Sequence, residues 1–234
     1  MGEECNRREA FIALRMHFVV EGQTEEAFVR DLLAAEMGSK RIYCDAHRIT
    51  TGRRGGKVYR GGMLSYAHLR RDLELWMKQD NNYDCWFTTM VDLYRLPSDF
   101  PGMAESRRIV DPVEKVQFLE QRLGGDLGHP RFVPYLQLHE FEALLFSDPQ
   151  SFSIAFPSVS TELADLGAIR VAFATPEHID EGDDTSPAKR ICKLLPDYIK
   201  PLSGPLIAKH IGLAKLRAEC HHFNEWLNRL ELAR

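Results

Sequence analysis

Residues 17–20 read HFVV, a short run of aromatic and β-branched residues without alternation, the pattern of a strand covered on both faces. Glu21 and Gly22 interrupt it. From Thr24 to Met37, apolar residues at Phe28, Leu32, Leu33 and Met37 recur at helical spacing, with Thr24 expected as N-cap and Gly38 as the stop. RIYCDAHRI (41–49) reads as a second strand, and the glycine-rich TTGRRGGKVYRGGM (50–63) as a mobile basic loop. Residues 64–79 return to helical spacing through Leu64, Ala67, Leu69, Leu73 and Trp76. CWFTTMVDLY (85–94) has the texture of another buried strand. VEKVQFLEQRL (113–123), after Asp111 and Pro112, reads as a helix, and RFVPYLQLHEFEALLF (131–146) as a strand running into a helix.

This alternation predicts an α/β fold over residues 1–146: an open, mostly parallel sheet with helices on both faces. From 147 to 234 the chain is richer in Pro, Ser and Asp, with short helical pieces, and a helical, loop-rich lobe packed on the core is expected. Its last helix is placed at Ala214 to Leu232, where Leu216, Cys220, Phe223, Leu227 and Leu230 define one face.

Composition adds mostly exclusions. The net charge of -4 gives no global attraction to nucleic acid, so any phosphate-binding surface must be local. The five cysteines are scattered without paired spacing, which indicates neither a disulfide framework nor a zinc knuckle and fits a reducing compartment. No apolar run is long enough to cross a bilayer, and MGEECNRREA lacks the order of a signal peptide, so a cytoplasmic protein is expected. P-loop, dinucleotide-binding and G-x-S-x-G signatures are absent, and the adjacent histidines of CHHF (220–223) are a poor chelate best read as core and surface residues.

The candidate chemistry lies in carboxylates. In open α/β sheets ligands bind beyond the carboxyl ends of the strands. Glu21 follows the first strand, Asp92 follows CWFTTMV, and Glu140 and Glu142 follow VPYLQLH, so three strand ends deliver acids to one edge. Mg²⁺ or Mn²⁺ would neutralise such a cluster through oxygen ligands. Each acid also has a plainer reading. Glu25 and Glu26 suit the first turn of a helix; Glu26 is assigned to that role, while Glu25, four residues after Glu21, can serve the dipole or the ion. Asp92 can cap a turn, Glu140 and Glu142 can be exposed positions at a helix start, and His139 is read as a local hydrogen-bonding residue. For phosphates, the basic stretch offers Arg53, Arg54, Lys57 and Arg60, with Tyr59 for stacking, or it is a solvated loop. SPAKR offers Lys189 and Arg190 near a helix start formed by Ser186 and Pro187, where cations are disfavoured and a bound phosphate would relieve the cost.

VVEGQTEEAFV (19–29) resembles the first motif of TOPRIM domains, especially the form in overcoming-lysogenization-defect (OLD) nucleases, and MVDLYRLPSDFPG (90–102) resembles their aspartate motif. Together with YLQLHEFEALLFSDP, DDTSPAKRI and IAKHIGLAKLRAECHHFNEWL, these segments resemble a bacterial TOPRIM-like family known as domain of unknown function four-two-seven-six, over nearly the whole chain. The resemblance implies a Mg²⁺- or Mn²⁺-dependent nuclease acting on DNA or RNA. It also implies a neighbouring ABC-like or AAA-type ATPase in antiphage defence. By motif, Glu21 corresponds to the TOPRIM glutamate, assigned as general acid/base or metal ligand, Glu25 to the second acid of the OLD form, and Asp92 to the first aspartate of D-x-D. Tyr94 stands where the second aspartate is expected, which leaves a two-metal site one ligand short unless Glu140 or Glu142 supplies the oxygen. The alternatives are a non-catalytic subunit that binds a partner ATPase and a small-molecule phosphohydrolase.

Overall fold

A computed structural model describes residues 13–54, 57–60, 63, 65–180, 182 and 184–233; the side chains of residues 52–60 lie outside the description. Its centre is a parallel sheet. Strand β1 (Leu14–Val20) pairs on one side with β2 (Ile42–Arg48), and β3 (Thr50–Arg54) and β4 (Lys57–Arg60) form a separate antiparallel pair. On its other side β1 pairs with β5 (Cys85–Asp92), which in turn pairs in parallel with two short strands, β6 (Phe132–Val133) and β7 (Leu136–Gln137). The order β2-β1-β5-β6 leaves β2 on an edge.

Both faces are buried, as the unalternating strands require. Met16, Phe18 and Val20 of β1 join a cluster with Phe28, Leu33, Phe223, Trp226 and Leu227, so residues from before and after 146 share one core. On the opposite face Val19, Phe87 and Val91 meet Leu69 and Leu73 of the helix Tyr66–Gln79 and Val116, Leu119 and Leu123 of the helix Pro112–Leu127. Among the described residues no helix is long and apolar enough to cross a membrane.

Four local expectations need correction. The first helix starts earlier and is not uniform: Gln23–Phe28 is α-helical, Val29–Leu33 is a π-helical turn and Ala34–Gly38 resumes the α form. Its N-cap is Gly22 rather than Thr24, because the Glu25 carboxylate reaches back to accept the Gly22 N–H at 2.8 Å. The basic stretch expected as a loop is a two-stranded ribbon in its described backbone, with Arg53 opposite Val58 and Arg54 opposite Lys57.

Residues 131–146 do not form one strand and an α-helix. Pro134 has no N–H for a ladder and separates β6 from β7, and the side chain of Thr89 bridges the gap, accepting the Tyr135 N–H at 3.0 Å and donating to its carbonyl at 2.8 Å. Past β7 the chain winds into a 3-10 helix, Phe141–Ser147. The terminal helix is likewise two, Leu213–Glu219 and His221–Leu232, broken at an extended Cys220. The buried Glu177 carboxylate accepts the His222 and Phe223 N–H groups at 3.0 and 2.9 Å, satisfying donors that a continuous helix would have paired internally.

Candidate carboxylate site

The carboxyl edge of the sheet gathers the acids. Glu21 leaves β1 and is anchored by its N–H to the Met90 carbonyl of β5, at 3.3 Å, while Asp92 is the last residue of β5. Beyond β7 the chain turns sharply at His139, whose φ of 60° is rare for a residue with a side chain. Its carbonyl accepts the Tyr94 N–H at 3.1 Å, which ties the loop after β5 to the loop after β7 and delivers Glu140 and Glu142 beside Asp92. Glu21, Glu25, Asp92, Glu140 and Glu142 are all buried.

A lysine completes the arrangement, and sequence reasoning missed it. Lys200 Nζ lies 3.0 Å from both Glu140 Oε2 and Glu142 Oε2. It opens the helix Lys200–Ile211, which closes on the helix Gln23–Phe28 through Gly204. A side-chain carbon there would meet Tyr198 Oη at 3.0 Å, Phe141 Cε1 at 3.2 Å and Thr24 Cγ2 at 3.4 Å. The available signal was a cation in the first turn of a helix, where the dipole disfavours it, which asks for an acidic partner. Arg95 was also missed; its Nε lies 4.0 Å from Glu21 Oε1 on the exposed side.

The acids divide into two groups by how they are satisfied. Glu140 accepts the Ala188 N–H at 2.7 Å through Oε1 and Lys200 through Oε2; Glu142 accepts the Tyr198 hydroxyl at 3.2 Å and Lys200. Glu21 Oε2 and Asp92 Oδ1, by contrast, are buried with no hydrogen-bond partner among the described residues. Burial, followed by the charge of Glu25, pushes Glu21 up to about 7. Burial and then the charges of Glu25, Glu21, Glu142 and Glu140 hold Asp92 well above the carboxylate range. Glu25 and Glu142 are raised chiefly by burial, with Lys200 opposing the shift in both. Burial works against the charge on Lys200, but Glu142 and Glu140 outweigh it and hold its pKa above the ordinary value.

These orphaned oxygens fit a hard divalent cation: an oxygen-only donor set, excess negative charge and protonation favoured without a counter-ion. The acids do not close a tight chelate. Among the described residues, triads of ligand atoms within 4.8 Å of one another lie elsewhere, so an ion here would retain waters, as Mg²⁺ usually does.

The other expected residues fall differently. The helix start at SPAKR is satisfied by Glu140, which takes the Ala188 N–H, and Ser186 makes no side-chain cap bond. A protein carboxylate, not a phosphate, therefore relieves that terminus. Lys189 pairs with Asp184 at 3.2 Å, and Arg190 donates to the Thr185 carbonyl at 2.6 Å and lies over the Phe173 ring. The side chains of Arg53, Arg54, Lys57 and Arg60 lie outside the described residues. His139, expected to hydrogen-bond locally, has polar neighbours in the Asp180 carboxylate, 3.4 Å from its Nδ1, and the Glu177 backbone; its ring neighbours Tyr94, and burial lowers its pKa. Glu26 pairs with Arg48 at 3.0 Å, away from the cluster's bonds.

Residues 20–231 match the family model described as Domain of unknown function (DUF4276). The chain belongs to this family. In this DUF4276 member the matched span contains every acid of the edge, Lys200, the helix Leu213–Glu219 and all but the last residue of the helix His221–Leu232. No curated protein matches the sequence. Solved structures similar to it include the C-terminal region of the Burkholderia pseudomallei OLD protein, at 16% identity over 96% of this chain and 100% of that one, with a TM-score of 0.46. The C-terminal region of the Xanthomonas campestris pv. campestris OLD protein is similar at 17% identity over 94% of this chain and 98% of that one, with a TM-score of 0.39.

Proposed function

We propose that this DUF4276 protein is a Mg²⁺- or Mn²⁺-dependent nuclease, hydrolysing phosphodiester bonds in DNA or RNA at the carboxyl edge of its sheet. The observation that carries the reading is the pair of buried, unpartnered oxygens on Glu21 and Asp92, on adjacent strands and flanked by further acids. Glu21, Asp92 and Glu25 would hold the cation, which supplies Lewis-acid polarisation of a phosphoryl oxygen and lowers the pKa of a bound water. Glu25 is braced for that role by the Gly22 N–H. Lys200 bridges Glu140 and Glu142 and offsets part of their charge, so these two position the lysine and tie the 3-10 turn to the helix Lys200–Ile211. Because two of the five acids share the charge of one lysine, and Tyr94 stands in place of a carboxylate, the reading is a single-ion site. Arg95, at the exposed rim, suits a phosphate of the incoming strand. Arg53, Arg54, Lys57 and Arg60 on the ribbon, with Lys189 and Arg190, would extend that backbone grip.

The test is cleavage of labelled single- and double-stranded DNA and RNA by the purified protein with Mg²⁺ or Mn²⁺, compared with Glu21→Gln and Asp92→Asn. Loss of activity in both variants supports the assignment, and unchanged metal-dependent cleavage in both overturns it. A second reading, a non-catalytic subunit that docks on a partner ATPase, draws support from the same Lys200 bridge, which neutralises part of the edge without any ion. Titration with Mn²⁺ separates the two: a docking subunit shows no saturable binding that depends on Glu21. Membership of an antiphage defence system belongs to this proposal and is tested by phage challenge of cells carrying the gene and its neighbours, with and without Glu21→Gln.

A further inference from the structure

A second group of ligands lies at the opposite kind of place, the open lateral edge of the sheet. Asp45 and His47 are two residues apart on edge strand β2 and so share a face, and His17 faces them from β1, in register with Asp45. His17 Nδ1 and His47 Nε2 are 3.2 Å apart, His47 Nε2 and Asp45 Oδ2 3.1 Å, and His17 Nδ1 and Asp45 Oδ2 3.9 Å. Two ligands at the usual zinc–nitrogen distance subtend about 3.3 Å in a tetrahedron, so the three separations bracket one triangular face of such a site. The circumradius of this triangle is about 2.0 Å, so an ion about 0.6 Å off its plane would lie about 2.1 Å from all three atoms, within the zinc–imidazole range.

The surroundings prepare His17 for that role. Its Nε2 lies 3.2 Å from Asp80 Oδ2, and Asp80 is fixed by Arg15 at 2.5 and 2.9 Å and by Asn82 at 2.8 Å. A carboxylate behind Nε2 places the imidazole proton there and leaves the Nδ1 lone pair facing His47 and Asp45, the tautomer a metal needs. Trp76 stacks on both histidines, at 3.4 Å from His47 and 5.4 Å from His17, and Phe87 stacks on His17, fixing the ring planes. Asp45 is 65% exposed, so a fourth position opens to solvent. A rival triad, His17 with Asp80 and Cys85, is weaker: Asp80 is already paired with Arg15, and burial pushes the Cys85 thiol up to about 12, away from the thiolate a metal requires.

We propose that His17, His47 and Asp45 bind a divalent transition metal of the zinc class, separate from the hard-cation site at the carboxyl edge. Two imidazoles and one carboxylate select such ions over Mg²⁺, whereas the all-oxygen edge has the reverse preference. The open fourth position takes water or an exogenous donor.

The test uses tag-free, chelator-stripped full-length protein titrated with Zn²⁺ by calorimetry and with Co²⁺ by visible absorption. The expected result is one equivalent bound, with the intense absorption of four-coordinate Co²⁺, retained in Glu21→Gln and weakened by about 100-fold or more in His47→Gln and Asp45→Asn. Asp45 is exposed, so its variant folds even if loss of the His47 stack does not allow that one to. Absence of saturable Zn²⁺ binding, or the same affinity in Asp45→Asn, overturns the proposal and leaves the pair as an imidazole–imidazole hydrogen bond. Loss of the signal in Glu21→Gln instead would overturn it by moving the ion to the carboxyl edge.

Discussion

Replacing Glu21 with glutamine should stabilise the metal-free protein at neutral and alkaline pH. In the folded state Glu21 is pushed up to about 7 from an ordinary glutamate value near 4.5, by burial first and by Glu25 second. The folded protein therefore holds this proton more tightly than the unfolded chain does. The cost is absent below about pH 4.5, grows as pH rises toward 7 and is complete above it. A shift of that size corresponds to on the order of 3 kcal/mol at 1.36 kcal/mol per pH unit, and the side chain is only 11% exposed, so little is lost to solvent screening. Glutamine carries no charge to bury or repel. In a chelator, Glu21→Gln and the parent should unfold together near pH 4.5, and at pH 8 the variant should be more stable by about 3 kcal/mol, or roughly 6 to 12 °C in Tm for a chain of this size. Urea unfolding across pH 4.5 to 8.5 reads the difference. Saturating Mn²⁺ should reverse the order at pH 8, because the parent then gains the binding energy of the ion. Parallel pH profiles for the two proteins in chelator would refute the reasoning.

Lys200→Met should destabilise the protein by roughly 2 kcal/mol at pH 7, less than a fully buried pair because the lysine is 39% exposed, and the double variant with Glu142→Gln should recover much of the loss in a urea double-mutant cycle. Gly204→Val should cost about 1 to 3 kcal/mol, since its side chain must displace Tyr198 Oη or Phe141; thermal unfolding and a lower affinity for Mn²⁺ would register the helix moving away from Gln23–Phe28. Glu177→Ala should cost about 1 to 2 kcal/mol by exposing the His222 and Phe223 N–H groups at the start of the last helix, measured by chemical unfolding, with faster amide exchange confined to that first turn.

Much of the frame was legible because it is written locally. HFVV and CWFTTMV lack alternation, and only a strand buried on both faces suits them; the structure pairs both in the centre of a parallel sheet. Asp111 with Pro112 marked a helix start, and its side chain accepts the Glu114 N–H as such a cap should. Failures arose where a distant group took over a local duty. Cys220 sits within unbroken helical spacing, yet Glu177, 45 residues before His222 in the chain, supplies acceptors that let the helix start afresh. Ser186 had the composition of an N-cap, but Glu140 reached that terminus first.

The same division runs through the candidate sites. That Glu21 and Asp92 end parallel strands, and so share an edge, follows from the hydrophobic pattern and the rule that such strands run in one direction. Which acids remain unsatisfied does not, because it depends on where Lys200 lands, and that is set by Gly204 allowing two helices to touch. His17, Asp45 and His47 show the limit most plainly. Period-2 geometry puts Asp45 and His47 on one face of β2, but only the register of β1 against β2, fixed by packing on both faces of the sheet, brings His17 within bonding distance. Local patterning determined the elements and their order; relative placement, governed by long-range packing and by competition among charges for few partners, decided which side chains meet.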